Sequence, residues 1–378
     1  MNIHRRLRSM TGVLIAVILS FVLSGCSSDR KDSPRAETAV LSIRVTLHDD
    51  IPSGPFRMHD TRAGEYEADK FAANDMEKMH TLRVIIISAD NTVEHNTLWD
   101  FTSSPAEHVS GGDFPVKAGE MKTILLVANE NGKTVRKSDG SAVSASDYLG
   151  RLSATVGTLV DLNELKKTVI PESAIATDPH TGMLTEPMFI TAVYNYYIGT
   201  DRERYSATFN IHRTLTKYTF RITNKDKTKP HKLDFIDIDR VASFCWLFPN
   251  AEYQDSQQTL LVGYHAADTS NGKIMTYQVS ETIGAGETRE FGPYYFSEGA
   301  DLGASGSYSV GFGFDGFSTV WRRLEWFKPE NSDVKFPMTD LPRNTHVVVN
   351  VSFEFLGIGL NYTVCPWNTH EIDIPPFN

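Results

Sequence analysis

The sequence lacks the motifs that most enzymes need. It has no His-Glu-x-x-His zinc motif, no Gly-x-Ser-x-Gly nucleophile elbow and no phosphate-binding loop. Its twelve histidines are scattered and do not share the spacing of metal ligands. Only these histidines and an acidic segment at 234–239 support a hydrolase, and they do so weakly. We therefore predict no catalytic residue, no metal site and no cofactor.

Cysteine is also scarce, and its three positions differ in context. Cys26 follows an apolar N-terminal run, whereas Cys245 lies in the segment Phe244-Cys245-Trp246-Leu247, which is typical of a core. Cys365 lies near the end of the chain. Cys245 and Cys365 could pair in an oxidising compartment, but spacing along a chain does not show proximity. We favour two buried free thiols, and the pairing stays open.

Positive charge is in short supply. There are 37 Lys and Arg against 47 Asp and Glu, and the formal net charge is −10. Three of the arginines (Arg5, Arg6 and Arg8) fall in the first 25 residues, so the rest of the chain is more acidic still. This balance argues against nucleic acid as a partner and against attraction to an anionic membrane surface.

One hydrophobic run is present, and it stands at the N-terminus. The basic residues are followed by apolar residues 13–23 and then by Leu23-Ser24-Gly25-Cys26. The run is short for a membrane span, and small residues precede the cysteine, so we predict a signal peptide over 1–25. The quartet resembles the lipobox of bacterial lipoproteins, which makes Cys26 the predicted lipidation site and an outer-membrane lipoprotein the predicted precursor. An uncleaved anchor helix is the alternative. Residues 26–38 are polar and predict a flexible tether.

Alternation of apolar and polar residues dominates the remainder. It is clear at Leu41, Ile43, Val45 and Leu47, and it recurs in segments 204–211, 217–223 and 346–355. Such period-two patterns predict strands with one buried face. Segments 82–87 and 123–128 are more uniformly apolar and predict central strands. Helices are predicted only at Ser144–Leu152, with Ser144 as N-cap, and at Leu159–Lys166. We predict an all-β fold of two β-sandwich domains, 39–198 and 199–378.

Three features imitate functional sites. Gly311-Phe312-Gly313-Phe314-Asp315-Gly316 fits a dinucleotide fingerprint, but strand alternation before it and the absence of a helix after it favour a glycine-rich hairpin. Asp234, Asp237 and Asp239 could attract calcium, although an acidic strand face is the better interpretation. Trp246, Trp321, Trp326 and Trp367 have apolar neighbours, so we predict core positions for them.

Several segments fall into an order that resembles the fimbrillin family, the lipoprotein-derived type V pilus subunits of Bacteroidota. After the lipobox the segments are Asp60–Ala63, Met79–Ile87, Val116–Asn129, Ile211–Tyr218, Arg343–His346 and Val364–Asn368. The two late cysteines depart from the family pattern. The resemblance implies tandem Greek-key-like β-sandwiches with a transthyretin-like pilin architecture and a few short helices. It also implies a cell-surface fimbria that supports adhesion, with other fimbrial subunits as partners in a homo- or heteropolymer.

The family also implies assembly by strand exchange. An arginine-directed protease removes the N-terminal strand, and a neighbouring subunit's C-terminal segment fills the groove. Here the displaced strand would carry Leu41, Ile43, Val45 and Leu47. The first candidate bond is Arg62-Ala63, the second Arg57-Met58, and uncut arginines in an ordinary loop are the alternative. The candidate donor residues alternate along the tail and are Leu360, Tyr362, Val364, Ile372 and Ile374.

Competing functions remain at this stage. We favour a shaft-type subunit, whereas a tip adhesin or a surface glycan-binding lipoprotein would recognise a ligand on a host or bacterial surface. The glycan-binding hypothesis requires solvent-exposed aromatic side chains.

Overall fold

The computed structural model describes residues 37–47, 74–152, 159–178, 181–248, 252–253, 261–262, 267–270, 272–299, 302, 306–328, 331–337, 341, 343–354 and 357–366. Strands account for nearly all of the regular structure. In chain order they are β1 (Thr38–Leu47), β2 (Thr81–Ile87), β3 (Val93–Asp100), β4 (His108–Lys117), β5 (Glu120–Ala128), β6 (Thr134–Arg136), β7 (Ala142–Ser144), β8 (Val169–Pro171), β9 (Ile190–Ile198), β10 (Arg204–Arg213), β11 (Leu215–Asn224), β12 (His231–Val241), β13 (Phe244–Trp246), β14 (Glu252–Tyr253), β15 (Leu261–Val262), β16 (Lys273–Ile283), β17 (Thr288–Ser297), β18 (Ser309–Phe314), β19 (Val320–Arg323), β20 (Glu325–Lys328), β21 (Asn331–Pro337), β22 (Thr345–Glu354) and β23 (Gly357–Pro366). The expectation of an all-β fold is confirmed.

The helices of the described residues are short. They are α1 (Ala145–Arg151), α2 (Leu162–Lys166) and two 3₁₀ turns, Asp75–Glu77 and Glu172–Ala174. The Ser144 hydroxyl accepts a hydrogen bond from the Asp147 amide and caps α1, as predicted. The second helix begins at Leu162 rather than Leu159, because Asp161 is the residue whose side chain accepts from the first free amides. None of the helices described is long and apolar enough to cross a bilayer.

Seven strands, in the order β3-β2-β5-β9-β10-β1-β4, form the first sandwich. β9 and β10 pair only through His212↔Thr191 and Arg213↔Ile190. The sheet therefore folds over between these two strands, and its two halves face each other. Buried side chains of β1, β4 and β10 then share one core with those of β2, β5 and β9. The side chains that enter this core alternate along each strand, and where the other face is exposed this gives the period-two pattern seen in the sequence.

A second core covers the other face of β2 and β5. It includes α1, α2, β8 and the residues that follow β13, and it buries Ile85 and Val127 from behind. β2 is therefore buried along its whole length, which accounts for its mainly apolar sequence. β13 reaches this core from the later part of the chain and pairs with β8.

The second sandwich packs a sheet of order β17-β11-β22-β23 against a sheet of order β16-β12-β18-β19. β11 and β22 run parallel, and their buried residues face those of β12 and β18 across a common core. The predicted glycine-rich hairpin is confirmed: β18 and β19 pair antiparallel around a turn at Asp315–Gly316. The predicted boundary at 198/199 stays a prediction; β10, which follows it, pairs with β1 and β9.

Candidate assembly site

β1 occupies an inner position in the first sandwich. It pairs parallel with β10 and antiparallel with β4, so both of its backbone edges are satisfied. Leu41, Ile43, Val45 and Leu47 are at most 4% exposed, whereas Arg44 on the opposite face is exposed. The four predicted side chains therefore lie in the core as expected. Removing this strand would open an apolar groove with two unpaired edges.

A glycine bulge shapes the wall of this groove on β4. The register between β1 and β4 shifts between Ser42 and Ile43, and Gly112 lies at the shift with φ +79°. A Cβ atom there would lie 2.6 Å from the Trp99 ring and 2.7 Å from the Phe114 ring. The absence of a side chain at Gly112 therefore leaves room for the stacked rings of Trp99 and Phe114. Its positive φ is also an angle that residues with a Cβ atom adopt only with an increase in conformational energy.

Polar groups join the three strands on the outer face. The Ser42 hydroxyl donates to Asp113 Oδ1 at 2.6 Å, and Arg204 donates to Asp113 Oδ2 at 2.8 Å. The hydrogen bond from Ser42, and then the Arg204 guanidinium, hold the pKa of Asp113 below its ordinary value. This cluster is exposed, so it specifies register more than it adds stability.

The segment that follows β1 begins and ends beside the same short stretch of backbone, Ala106-Glu107. The Leu47 amide donates to the Glu107 carbonyl at 2.7 Å, and the Met79 amide donates to the neighbouring Ala106 carbonyl at 3.0 Å. The segment between Leu47 and Met79, of which residues 48–73 lie outside the described residues, thus connects two points that lie next to each other. A cut between them would leave β1 held by hydrogen bonds and packing alone.

β23 is the other strand of interest. It pairs with β22 over its whole length, with Val347↔Val364, Val349↔Tyr362 and Val351↔Leu360 in register. It is the last strand of its sheet among the residues described, so leaving the sheet would break one ladder only. Cys26, Arg57, Met58, Arg62, Ala63, Ile372 and Ile374 lie outside the described residues.

Two buried basic residues link the two sandwiches, and the sequence did not predict these contacts. Arg343 Nε donates to Glu298 Oε2 at 2.9 Å, and its Nη2 donates to the Trp246 carbonyl at 2.6 Å. Lys217 Nζ lies 3.0 Å from Glu77 Oε1. Both basic residues belong to segments that carry the family resemblance; Lys217 lies inside an apolar strand and Arg343 lies just before one, and these positions were the available signal. The Cys245 thiol beside this junction is free and buried.

Metal binding finds no support in the described part of the chain, which contains no group of three His, Cys, Asp or Glu side chains arranged for it. Asp234 instead accepts from the Gly316 amide, and Asp237 accepts from Thr276.

One aromatic prediction is wrong: Trp321 is 37% exposed, because β19 is an edge strand among the described residues and a glycine stands opposite it.

Known structures share this architecture. The tip fimbrial protein Mfa3 from Porphyromonas gingivalis, solved with a C-terminal truncation, aligns with a TM-score of 0.53 and 11% identity over 87% of this chain and 100% of that one. A candidate cell adhesion protein from Parabacteroides distasonis aligns with a TM-score of 0.50 and 10% identity over 87% and 97% of the two chains. The chain has a fimbrillin-like fold. No protein-family model and no curated protein matches the sequence.

Proposed function

We propose that this chain is a non-catalytic subunit of a cell-surface fimbria. It is exported as an outer-membrane lipoprotein precursor through Cys26 and assembled by strand exchange. The observation that carries the proposal is β1, a buried inner strand whose connection to the next part of the fold begins and ends at adjacent backbone groups. The fimbrial fold of the matched proteins supports the same function.

In this proposal, proteolysis in residues 48–73 is the step that opens the groove. The proposed bond is Arg62-Ala63, with Arg57-Met58 as second choice. A donor strand from another subunit would then pair with β4 and β10 and place apolar side chains where β1 had them, which is strand addition. Lipid and first strand would leave together, so the lipid would be a feature of the precursor.

The donor has two candidate parts. Ile372 and Ile374 belong to the tail, whereas Leu360, Tyr362 and Val364 belong to β23, which already has a partner in β22. Truncation distinguishes them. If a chain ending at residue 366 no longer polymerises, the donor lies in the tail. If polymerisation survives that truncation and fails only in a chain ending at 356, the donor is β23.

The experiment begins with the chain from residue 27 onward, treated with an arginine-specific protease. We expect loss of the residues before Ala63, followed by oligomers in size-exclusion chromatography. The matched control is Arg62→Lys, alone and with Arg57→Lys, which an arginine-specific protease cannot cut at these bonds. Excess synthetic peptide 38–47 should refill the groove and suppress the oligomers. A chain that is cleaved yet stays monomeric would refute the shaft role.

N-terminal sequencing of the protein recovered from cells provides the second test. A start near Ala63 supports a polymerising subunit, and a start at Cys26 supports an anchor or accessory role. The tip adhesin and the surface glycan-binding lipoprotein remain the alternative functions, and the exposed Trp321 favours them.

A further inference from the structure

The outer face of the second sandwich carries an unusual row of side chains. In the sheet β16-β12-β18-β19, the register aligns Thr276 with Asp237, Asp237 with Gly311, and Gly311 with Trp321. The neighbouring residues Ile236, Ile238, Val310 and Phe312 point into the core. Because side chains alternate between the faces of a strand, the whole row lies on the outer face.

Trp321 lies against the strand beside it. A Cβ on Gly311 would be 3.1 Å from Trp321 Cδ2, so the indole rests on the backbone of β18. Two residues along, Phe235 covers Gly313 in the same way, with 2.4 Å between the ring and the ideal Cβ position. The two glycines thus allow aromatic rings to lie on the sheet. Of the pair, Trp321 is exposed and Phe235 half-buried.

Asp237 is a carboxylate at a position where the free energy of folding disfavours one. It stands in a strand paired on both sides and is 7% exposed. Aspartate is disfavoured in strands, and burying a carboxylate costs free energy unless it is paired. Thr276 donates to its Oδ1 at 2.6 Å, and no lysine or arginine of the described residues forms an ion pair with it. Its neighbours Asp234 and Asp239 are paired with Lys232 and Arg240.

We propose that this row, Thr276-Asp237-Gly311-Trp321, binds a neutral pyranose sugar of a surface glycan. The C–H face of a pyranose is weakly positive and stacks on the negative face of an indole. The hydroxyl groups at its rim donate to a carboxylate and exchange hydrogen bonds with Thr276. An uncompensated carboxylate repels acidic sugars, so the site selects a neutral one.

The dimensions of the row also favour a sugar over a folded protein. A stable protein interface buries about 800 Å² on each partner and is centred on several apolar anchors. Within the row itself one exposed aromatic ring stands beside hydroxyl and carboxylate groups, which suits a small, hydroxyl-rich ligand; the exposed Ile274 and Phe317 of this sandwich lie outside the row. The inference goes beyond the proposed fimbrial function and does not depend on strand exchange, because the row lies in the second sandwich.

The test uses the chain from residue 27 onward and an array of neutral oligosaccharides built from mannose, galactose, glucose and N-acetylglucosamine, with sialylated versions alongside. The strongest neutral oligosaccharide is then titrated by calorimetry. Trp321→Ala and Asp237→Asn should each raise the dissociation constant about tenfold or more. The first variant loses the ring that stacks on the sugar, and the second loses a charged hydrogen-bond acceptor. Trp321→Phe should restore most of the affinity.

The matched control is Tyr197→Ala, which removes an aromatic side chain that is 58% exposed on the first sandwich. It should leave the affinity unchanged, and thermal unfolding should show that every variant is folded. The proposal is overturned if no neutral oligosaccharide binds, if only sialylated ones bind, or if Trp321→Ala binds as tightly as the unmodified chain.

Discussion

Leu41 offers the sharpest test of how β1 is held. Its side chain is fully buried, opposite Tyr205 on β10 and Phe114 on β4. Truncating a buried leucine to alanine costs about 2–5 kcal/mol, the range set by how far the cavity collapses. Arg44→Ala is the control on the same strand, because Arg44 is exposed on the other face and its loss should change stability by less than about 0.5 kcal/mol.

The same substitution can be measured in a cleaved chain. With residues 48–73 cut, β1 is a peptide ligand of its own groove, so the same free energy becomes a change in dissociation constant. A loss of about 2–5 kcal/mol raises the dissociation constant of the β1 peptide by about thirtyfold to several thousandfold. Burial of the four large aliphatic side chains contributes about 6–12 kcal/mol in all, which is similar to the whole stability of a domain. The sandwich without β1 should therefore need a replacement strand.

The assay has two stages. Urea unfolding of the intact chain is followed by hydrogen exchange of peptides from β2 and β5, which report on this core rather than on the second sandwich. Release of peptide 38–47 from the cleaved chain is then measured by mass spectrometry against time. If Leu41→Ala and Arg44→Ala behave alike in both stages, β1 is not a core strand in solution and the groove argument fails.

Three further predictions concern the bulge, the junction and the buried thiol. Gly112→Ala should cost about 1–3 kcal/mol more in urea unfolding than Gly132→Ala, because both have positive φ but only Gly112 has rings where the Cβ would go. Arg343→Ala should cost about 3–5 kcal/mol by leaving Glu298 buried and uncompensated, against about 0–1 kcal/mol for Arg289→Ala in an exposed pair; similar losses for the two would contradict this. Burial raises the pKa of Cys245 to about 12, so the thiol stays protonated at pH 8 and, with Cys26 and Cys365 replaced by serine, iodoacetamide should label the chain only after unfolding.

Local patterns predicted those features that depend on neighbours in sequence. The alternation around Leu41 and Val45 reflects a strand with one buried face, and it is visible in any sequence whose strands are half-buried. The Ser144 cap and the hairpin turn at Asp315–Gly316 depend on a few adjacent residues, so they were also predictable. The mainly apolar segment 82–87 indicated a central strand, and β2 is buried on both faces.

Trp321 shows where this reasoning fails. Its apolar neighbours predicted a core position, but the side chain is exposed because β19 ends its sheet and Gly311 stands opposite. Neither the edge position nor the glycine partner is encoded in the residues adjacent to Trp321. The pairing of Arg343 with Glu298, 45 positions apart, is of the same kind.

The amino-acid sequence by itself determined the strands, their buried faces, the scarcity of helix and the apolar character of β1, because each follows from the order of side chains along a few residues. Only the tertiary structure decided that β1 lies between β4 and β10, that Arg343 and Glu298 meet at the junction, and that Asp237 and Trp321 share an outer face. These arrangements depend on register and packing between distant segments, where many pairings satisfy the same alternation and the best-packed core selects one.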